Sequence, residues 1–216
     1  MKPTLSWVVL LPCLWLSACS GGSDDPTSNV TLASQPQAGK TSAFLVSGDP
    51  AGSFGEAYLD AEGKGLIVVG ANDGKPAQAL YRLDGRTVQR SPGALSGTVT
   101  IDQDSTAAIR STALTRAQLA GSYTMQVDGA SFDFQIGADG KIAPSGSGCQ
   151  LSGNVTDDAG ASGALPVALT LSGCAVAGSF NGYLLKPADN LPNAVRLVAD
   201  DGKRVLDAFA IGTRSQ

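Results

Sequence analysis

The chain has 216 residues, 15 basic against 19 acidic, no histidine, and a formal net charge of -4. An acidic balance argues against nucleic acid and against a basic membrane-binding face, and the lack of histidine removes the usual catalytic triads and the commonest transition-metal sites. Abundant glycine with modest charge fits strands and turns better than helices or disorder.

Residues 1–18 carry a single charge, Lys2, followed by an apolar run from Trp7 to Leu16. That run is too short to span a bilayer and has the layout of a secretory signal peptide. It ends Leu16-Ser17-Ala18-Cys19, which resembles the lipobox of bacterial lipoproteins. The resemblance implies that the peptide before Cys19 is removed and that Cys19 carries acyl chains, including palmitate, as a lipid anchor. Each buried methylene contributes about 0.8 kcal/mol, so several chains hold a protein at a bilayer where one would be marginal. Ser20 follows Cys19, and by resemblance to Gram-negative lipoproteins this implies outer-membrane localisation, with the periplasmic or the surface face left open. Without Lys2 the remaining chain has 14 basic and 19 acidic residues, a net charge of -5. Residues 19–40 are polar and aperiodic, with Pro26 and Pro36, and are expected to form a flexible tether of roughly 25 Å reach.

From Thr41 the chain is expected to be all-β and antiparallel, as apolar and polar residues alternate between turn signals. A repeated signature organises it. Ala51-Gly52-Ser53-Phe54 returns as Ala120-Gly121-Ser122-Tyr123 and Ala177-Gly178-Ser179-Phe180, each followed by an Asp-Gly-Lys turn at 73–75, 139–141 and 201–203. Leu95-Ser96-Gly97-Thr98-Val99-Thr100 recurs as Leu151-Ser152-Gly153-Asn154-Val155-Thr156. In an N-terminal β unit, 41–116, strands are expected at 42–47, 53–60, 65–71, 77–83, 95–102 and 107–111. Thr115 and Gln118 stand at capping-box spacing for one helical turn. In the C-terminal domain, 117–216, eight strands are expected at 121–128, 131–137, 141–144, 149–156, 165–172, 178–186, 193–199 and 203–211. Eight sequential strands with short links can close into an eight-stranded barrel; a two-sheet sandwich is the alternative.

If 157–163 is a hairpin loop, its strands pair so that Leu151 faces Leu171 and Val155 faces Val167. Cys149 then comes near Cys174, and in an oxidising compartment a disulfide is expected between them, closing a loop worth roughly 3 kcal/mol. A redox pair is the other reading, without a Cys-x-x-Cys spacing or cationic neighbour to support it.

The segment from Gly148-Cys149-Gln150-Leu151 through Leu171-Ser172-Gly173-Cys174 to Gly178-Ser179-Phe180-Asn181-Gly182 resembles a group of proteobacterial lipoproteins with a similar Cys-to-Cys segment. That resemblance covers residues 119–214 and implies architecture but no activity. Phe132-Asp133-Phe134 running into Asp139-Gly140-Lys141 is more distantly similar to the β-barrel domains of surface lipoproteins such as transferrin-binding protein B.

No catalytic or metal site is expected, and no cofactor. The carboxylates at Asn72-Asp73-Gly74 and Asp200-Asp201-Gly202 lack the oxygen ligands of a calcium loop. The repeated Ala-Gly-Ser serines lack a nucleophile motif. Asp207 shares a strand face with Val205, Phe209 and Ile211. If that face points inward the carboxylate needs a partner, with Arg196 on the preceding strand at hand. The reading taken here has Leu206, Ala208 and Ala210 facing inward and Asp207 solvated. Tyr58 and Tyr183 are expected to pack, or, if exposed, to anchor a partner. The function expected is a non-catalytic outer-membrane lipoprotein that meets the membrane through Cys19 and presents a β surface to a protein partner or to envelope assembly. The alternative is a lipocalin-like carrier of a small ligand, which requires that Tyr123, Met125, Phe132, Phe134 and Phe180 line an open cavity.

Overall fold

The computed structural model describes residues 30–72, 75–85, 87–93, 95, 97–109, 114–156, 163–187 and 193–213. The segment up to residue 29, with the signal peptide and Cys19, lies outside them, as do Asp73 and Gly74. The described chain forms two β bodies, one after the other.

The first is a seven-stranded sheet of β1 (Val30–Leu32), β2 (Thr41–Ser47), β3 (Phe54–Leu59), β4 (Gly65–Gly70), β5 (Ala77–Asp84), β6 (Thr87–Ser91) and β7 (Gly97–Ala108). Their order is β1-β7-β2-β3-β4-β5-β6, antiparallel except that β1 runs parallel to β7 with Val30 against Gly97. The end strands β1 and β6 lie against each other, so the sheet nearly closes.

Three features depart from the sequence expectation. Val30–Leu32, assigned to the tether, is a strand with Val30 buried in the first core. β6 was not expected because Arg90, beside Val88 on the inward face, breaks the apolar alternation that marks a strand. The expected strands at 95–102 and 107–111 are one strand, β7, with a bulge. Pairing jumps from Ala43↔Ala107 to Leu45↔Asp102, leaving residues 103–106 against Phe44 alone. Ser105 Oγ closes the gap, accepting the Leu45 amide at 2.8 Å.

The second body opens on α1 (Arg116–Leu119), whose capping box joins Thr115 and Gln118 in both directions. Its strands are β8 (Gly121–Val127), β9 (Ala130–Ile136), β10 (Lys141–Pro144), β11 (Gln150–Val155), β12 (Ala164–Ser172), β13 (Gly178–Leu185), β14 (Ala194–Asp200) and β15 (Val205–Thr213). They form a closed antiparallel barrel, with β15 returning to β8 through Gly212↔Tyr123. The barrel, not the two-sheet sandwich, is the architecture. The β11–β12 register is the expected one, Leu151↔Leu171 and Val155↔Val167.

Alternate side chains fill this barrel. Phe132 is 0% exposed, and Met125, Phe180, Leu151 and Leu171 are each 1%. Leu119 closes one end of the core, where the Tyr123 hydroxyl donates to its carbonyl at 2.9 Å and the Tyr123 ring stacks on Phe134. Burying such side chains contributes about 1.5–3 kcal/mol each.

The repeated signature performs one backbone task in all three copies. Gly52, Gly121 and Gly178 have φ of 151, 158 and 149°, and a Cβ on Gly52 would lie 1.9 Å from the Gly70 carbonyl oxygen. Only glycine fits that conformation without strain. The aromatic that follows does not share a face in all copies. Tyr123 and Phe180 point into the second core. In the first copy Leu45↔Phe54 and Phe44↔Gly55 are opposed, and Phe44 faces inward. Phe54 therefore points outward, as a one-residue difference in register requires.

Cys149 and Cys174 are free thiols, each partly buried, and the expected disulfide is not formed. Cys149 lies just before β11, in an isolated bridge to Phe132, and Cys174 lies in the bend after β12. The hairpin register thus sets Cys149 beside Gly173, one residue short of Cys174. The neighbouring Cys174 thiol, with burial, raises the Cys149 pKa, while Cys174 Sγ itself donates to the Ser172 and Val176 carbonyls.

Candidate functional site: the seam between the barrels

β4 is buried at every position, Gly65 through Gly70, and β14 is buried at all but Arg196. A strand buried on both faces needs cover on its outer side. Here each body covers the other. Tyr58, Leu66, Val68, Ala77 and Leu80 of the first pack on Ala164, Leu185 and Val198 of the second, with Tyr183 and Val205 at the margin. Two copies of the repeated three-strand unit, β3-β4-β5 and β13-β14-β15, thus meet by their outer faces.

Charged residues cross the seam. Arg196 Nε and Nη2 donate to the two carboxylate oxygens of Asp207, both at 2.8 Å, and Nη1 donates to Glu56 of the first body. Asp207 also accepts the Ala77 amide at 2.7 Å. Burial disfavours the Arg196 charge, but the hydrogen bonds and charges of Asp207 and Glu56 outweigh it and hold its pKa above the ordinary value. Farther along, Arg82 pairs with Asp200, whose other oxygen accepts the Ser91 hydroxyl at 2.6 Å. Asp200 is thereby committed to the seam. Among the described residues no group of three or more potential ligands is assembled.

Four sequence-predicted residues converge here. Leu206, Ala208 and Ala210 face the barrel interior as expected. The expected solvation of Asp207 is wrong: its side chain is 3% exposed, because the outer face of β15 lies under the first body. Arg196 is its partner. Tyr58 is buried at 4%, its pKa raised by burial and by the Glu56 charge. Tyr183 packs at the opposite margin, and burial raises its pKa too. The partner these tyrosines anchor is the other half of their own chain.

On one side the seam opens into a cleft of about 260 Å³, near the lower bound of small-ligand pockets, walled by Phe54, Val68, Pro76, Pro187 and Phe209 over a floor of Tyr58, Glu56, Arg196 and Asp207. Lys75 stands at its exposed rim. Of the described exposed large hydrophobics, Leu45 at 51%, Phe209 at 43% and Ile211 at 47%, one lines this cleft and two neighbour its lining residues. Phe209 lines it, Ile211 follows on the same face of β15, and Leu45 opposes the lining residue Phe54. Sequence reasoning missed Phe54, Glu56, Lys75 and the cleft. The available signal was the unbroken apolar run Leu66-Ile67-Val68-Val69, too continuous for a strand with one wet face. The five residues proposed to line a carrier cavity are instead 0–7% exposed and fill the barrel core.

No protein-family model, no curated protein and no solved structure matches this chain.

Proposed function

We propose that this chain is an outer-membrane lipoprotein, anchored by acyl chains on Cys19, with no catalytic role, whose body of one barrel and one nearly closed sheet presents a β surface for protein interaction or envelope assembly. The anchoring rests on the likeness of Leu16-Ser17-Ala18-Cys19 to a lipobox. The interaction reading rests on one observation: the exposed Phe209 lines the cleft, and the other described exposed large apolar side chains stand beside lining residues, Ile211 on the same face of β15 and Leu45 opposite Phe54. Aromatic and apolar side chains at a concave site are what protein interfaces use as anchors.

Two experiments test this. Mass spectrometry of the amino-terminal peptide should find acyl mass on Cys19, and Cys19→Ser should release the chain to the soluble fraction; an unmodified Cys19 sinks the anchoring. A photoreactive amino acid at Phe209 should give a discrete adduct with an envelope protein in cells, while the same probe at Thr170, on the exposed outer face of β12, should not. Equal labelling from both positions sinks the interaction reading.

A further inference from the structure

We propose that the inter-barrel cleft receives a basic side chain of the protein partner, a lysine or arginine whose apolar stem lies along Phe54 and Phe209 and whose cationic head rests on Glu56. This rests on the interaction reading and names the chemistry of its contact.

The floor holds two carboxylates, Glu56 and Asp207, for one guanidinium, Arg196. Asp207 is committed, with both oxygens on Arg196 and one also on the Ala77 amide. Glu56 is not. One of its oxygens accepts from Arg196, and among the described residues the other has no partner, although the side chain is only 17% exposed. A half-buried carboxylate oxygen beside a cleft is an acceptor for a second cation, which would leave two carboxylates balanced by two positive charges. A carboxylate or phosphate entering there would bring a third negative charge to the floor. Lys75 does not supply the missing cation: it is an exposed rim residue, and the ion pair of Glu56 among the described residues is with Arg196.

The walls fit the same occupant. Aromatic faces attract cations, and Phe209 already shows this, with the Arg196 guanidinium carbon 6.0 Å from its ring centre. Phe54 and Tyr58 add two more rings. Long basic side chains lay their methylenes along such surfaces while the head stays polar. Leu45, opposite the lining residue Phe54, and Ile211, on the Phe209 face of β15, are exposed beside the cleft and extend the apolar surface beyond what a free small amine would cover, which favours a side chain carried on a protein.

The test is ligand-observed saturation-transfer NMR on the full chain in detergent micelles. The probes are N-acetyl-lysine methylamide and its norleucine and glutamate counterparts. The lysine probe should bind, with norleucine at least about fivefold weaker, within the range of a cation–aromatic contact, and glutamate not at all. Glu56→Gln, which leaves the Arg196–Asp207 pair intact, should reduce lysine to the norleucine level. Phe209→Ala, at an exposed position that does not threaten folding, should weaken both. Norleucine equal to lysine, or lysine binding indifferent to Glu56→Gln, overturns the proposal. If the Phe209 probe still cross-links a partner in that case, the interaction reading stands and its cationic chemistry falls. Lysine preference without any cross-linked partner shows a site for free amines and overturns the partner assignment.

Discussion

The two bodies share a repeated sequence unit, but one is a closed barrel and the other a sheet that nearly closes. The second closes by hydrogen bonds all round, β15 to β8, over an apolar core. The first brings β1 and β6 together without a ladder between them, and a buried ion pair ties β6 back to the body. Arg90 of β6 donates to both oxygens of Asp49, at 2.9 and 2.7 Å, across to the β2–β3 connection, and the Tyr81 hydroxyl donates to the same carboxylate. The Asp49 and Arg90 side chains are 0% and 7% exposed. Closure by ladder is indifferent to protonation, whereas closure by charge is not.

The largest expected effect tests the apolar barrel. Phe132→Ala empties the centre of the second core and should cost about 3–5 kcal/mol, read as a lowered denaturant midpoint, with no change in that loss between neutral and mildly acidic pH. A loss under about 1 kcal/mol would mean that the core collapses onto the gap and is looser than its burial implies.

Arg90→Met should cost about 3 kcal/mol at neutral pH, because it leaves the Asp49 carboxylate buried without its counter-ion. Burial alone would raise the Asp49 pKa, but the bonds from Arg90, Tyr81 and the Ala51 amide outweigh it and hold it below the ordinary 3.8. A depressed carboxylate pKa gives stability that is fully present above the unfolded value and is lost as pH falls through the folded one. The wild-type first barrel should therefore weaken below about pH 4, as followed by amide hydrogen exchange in β6 and β2. In Arg90→Met that acid loss should disappear, since Asp49 is then free to take up a proton. Acid weakening of equal size in both proteins would break the distinction between the two modes of closure.

Much of this was legible in the sequence where one face is wet. Phe132, Phe134 and Ile136 alternate with Ser131, Asp133 and Gln135, and the strand and its buried face follow from that period, which does not by itself separate an eight-strand closure from a two-sheet sandwich. The β11–β12 register could be read from loop length. What failed to show was contact between distant surfaces. Nothing local to Asp207 says that β3 and β5 cover it, so a residue that is outward by periodicity is taken as solvated. Phe54 misleads for the opposite reason: its motif matches that of Phe180, and only pairing with β2 reveals the opposite face. Val30–Leu32 is too short and too polar in its surroundings to signal a strand, and its partner lies far along the chain.

The seam should respond less than either core. Arg196→Met leaves Asp207 with the Ala77 amide and Glu56 with partial access to solvent, so a loss of about 2 kcal/mol is expected, below the range for a fully enclosed pair. The loss should concentrate in β4 and β14, whose amides should exchange faster while the β9 and β11 ladders keep their protection. Uniform acceleration across both barrels would mean that the two bodies unfold as one unit.

The smallest effect is expected at Leu45, which is 51% exposed on the outer face of β2. Leu45→Ser removes no core contact, and surface changes of this kind stay within about 0.5 kcal/mol. Because Leu45 flanks Phe54 at the cleft, the same substitution should still reduce cross-linking from the Phe209 position. A change in stability beyond about 1 kcal/mol would show that the outer face of the first barrel is covered by part of its own chain rather than held open for a partner. An unchanged midpoint with weakened cross-linking would instead separate the two outer faces of this barrel by task. The β3-β4-β5 face would be closed against the second barrel, and the β2 edge of the cleft would remain available for contact.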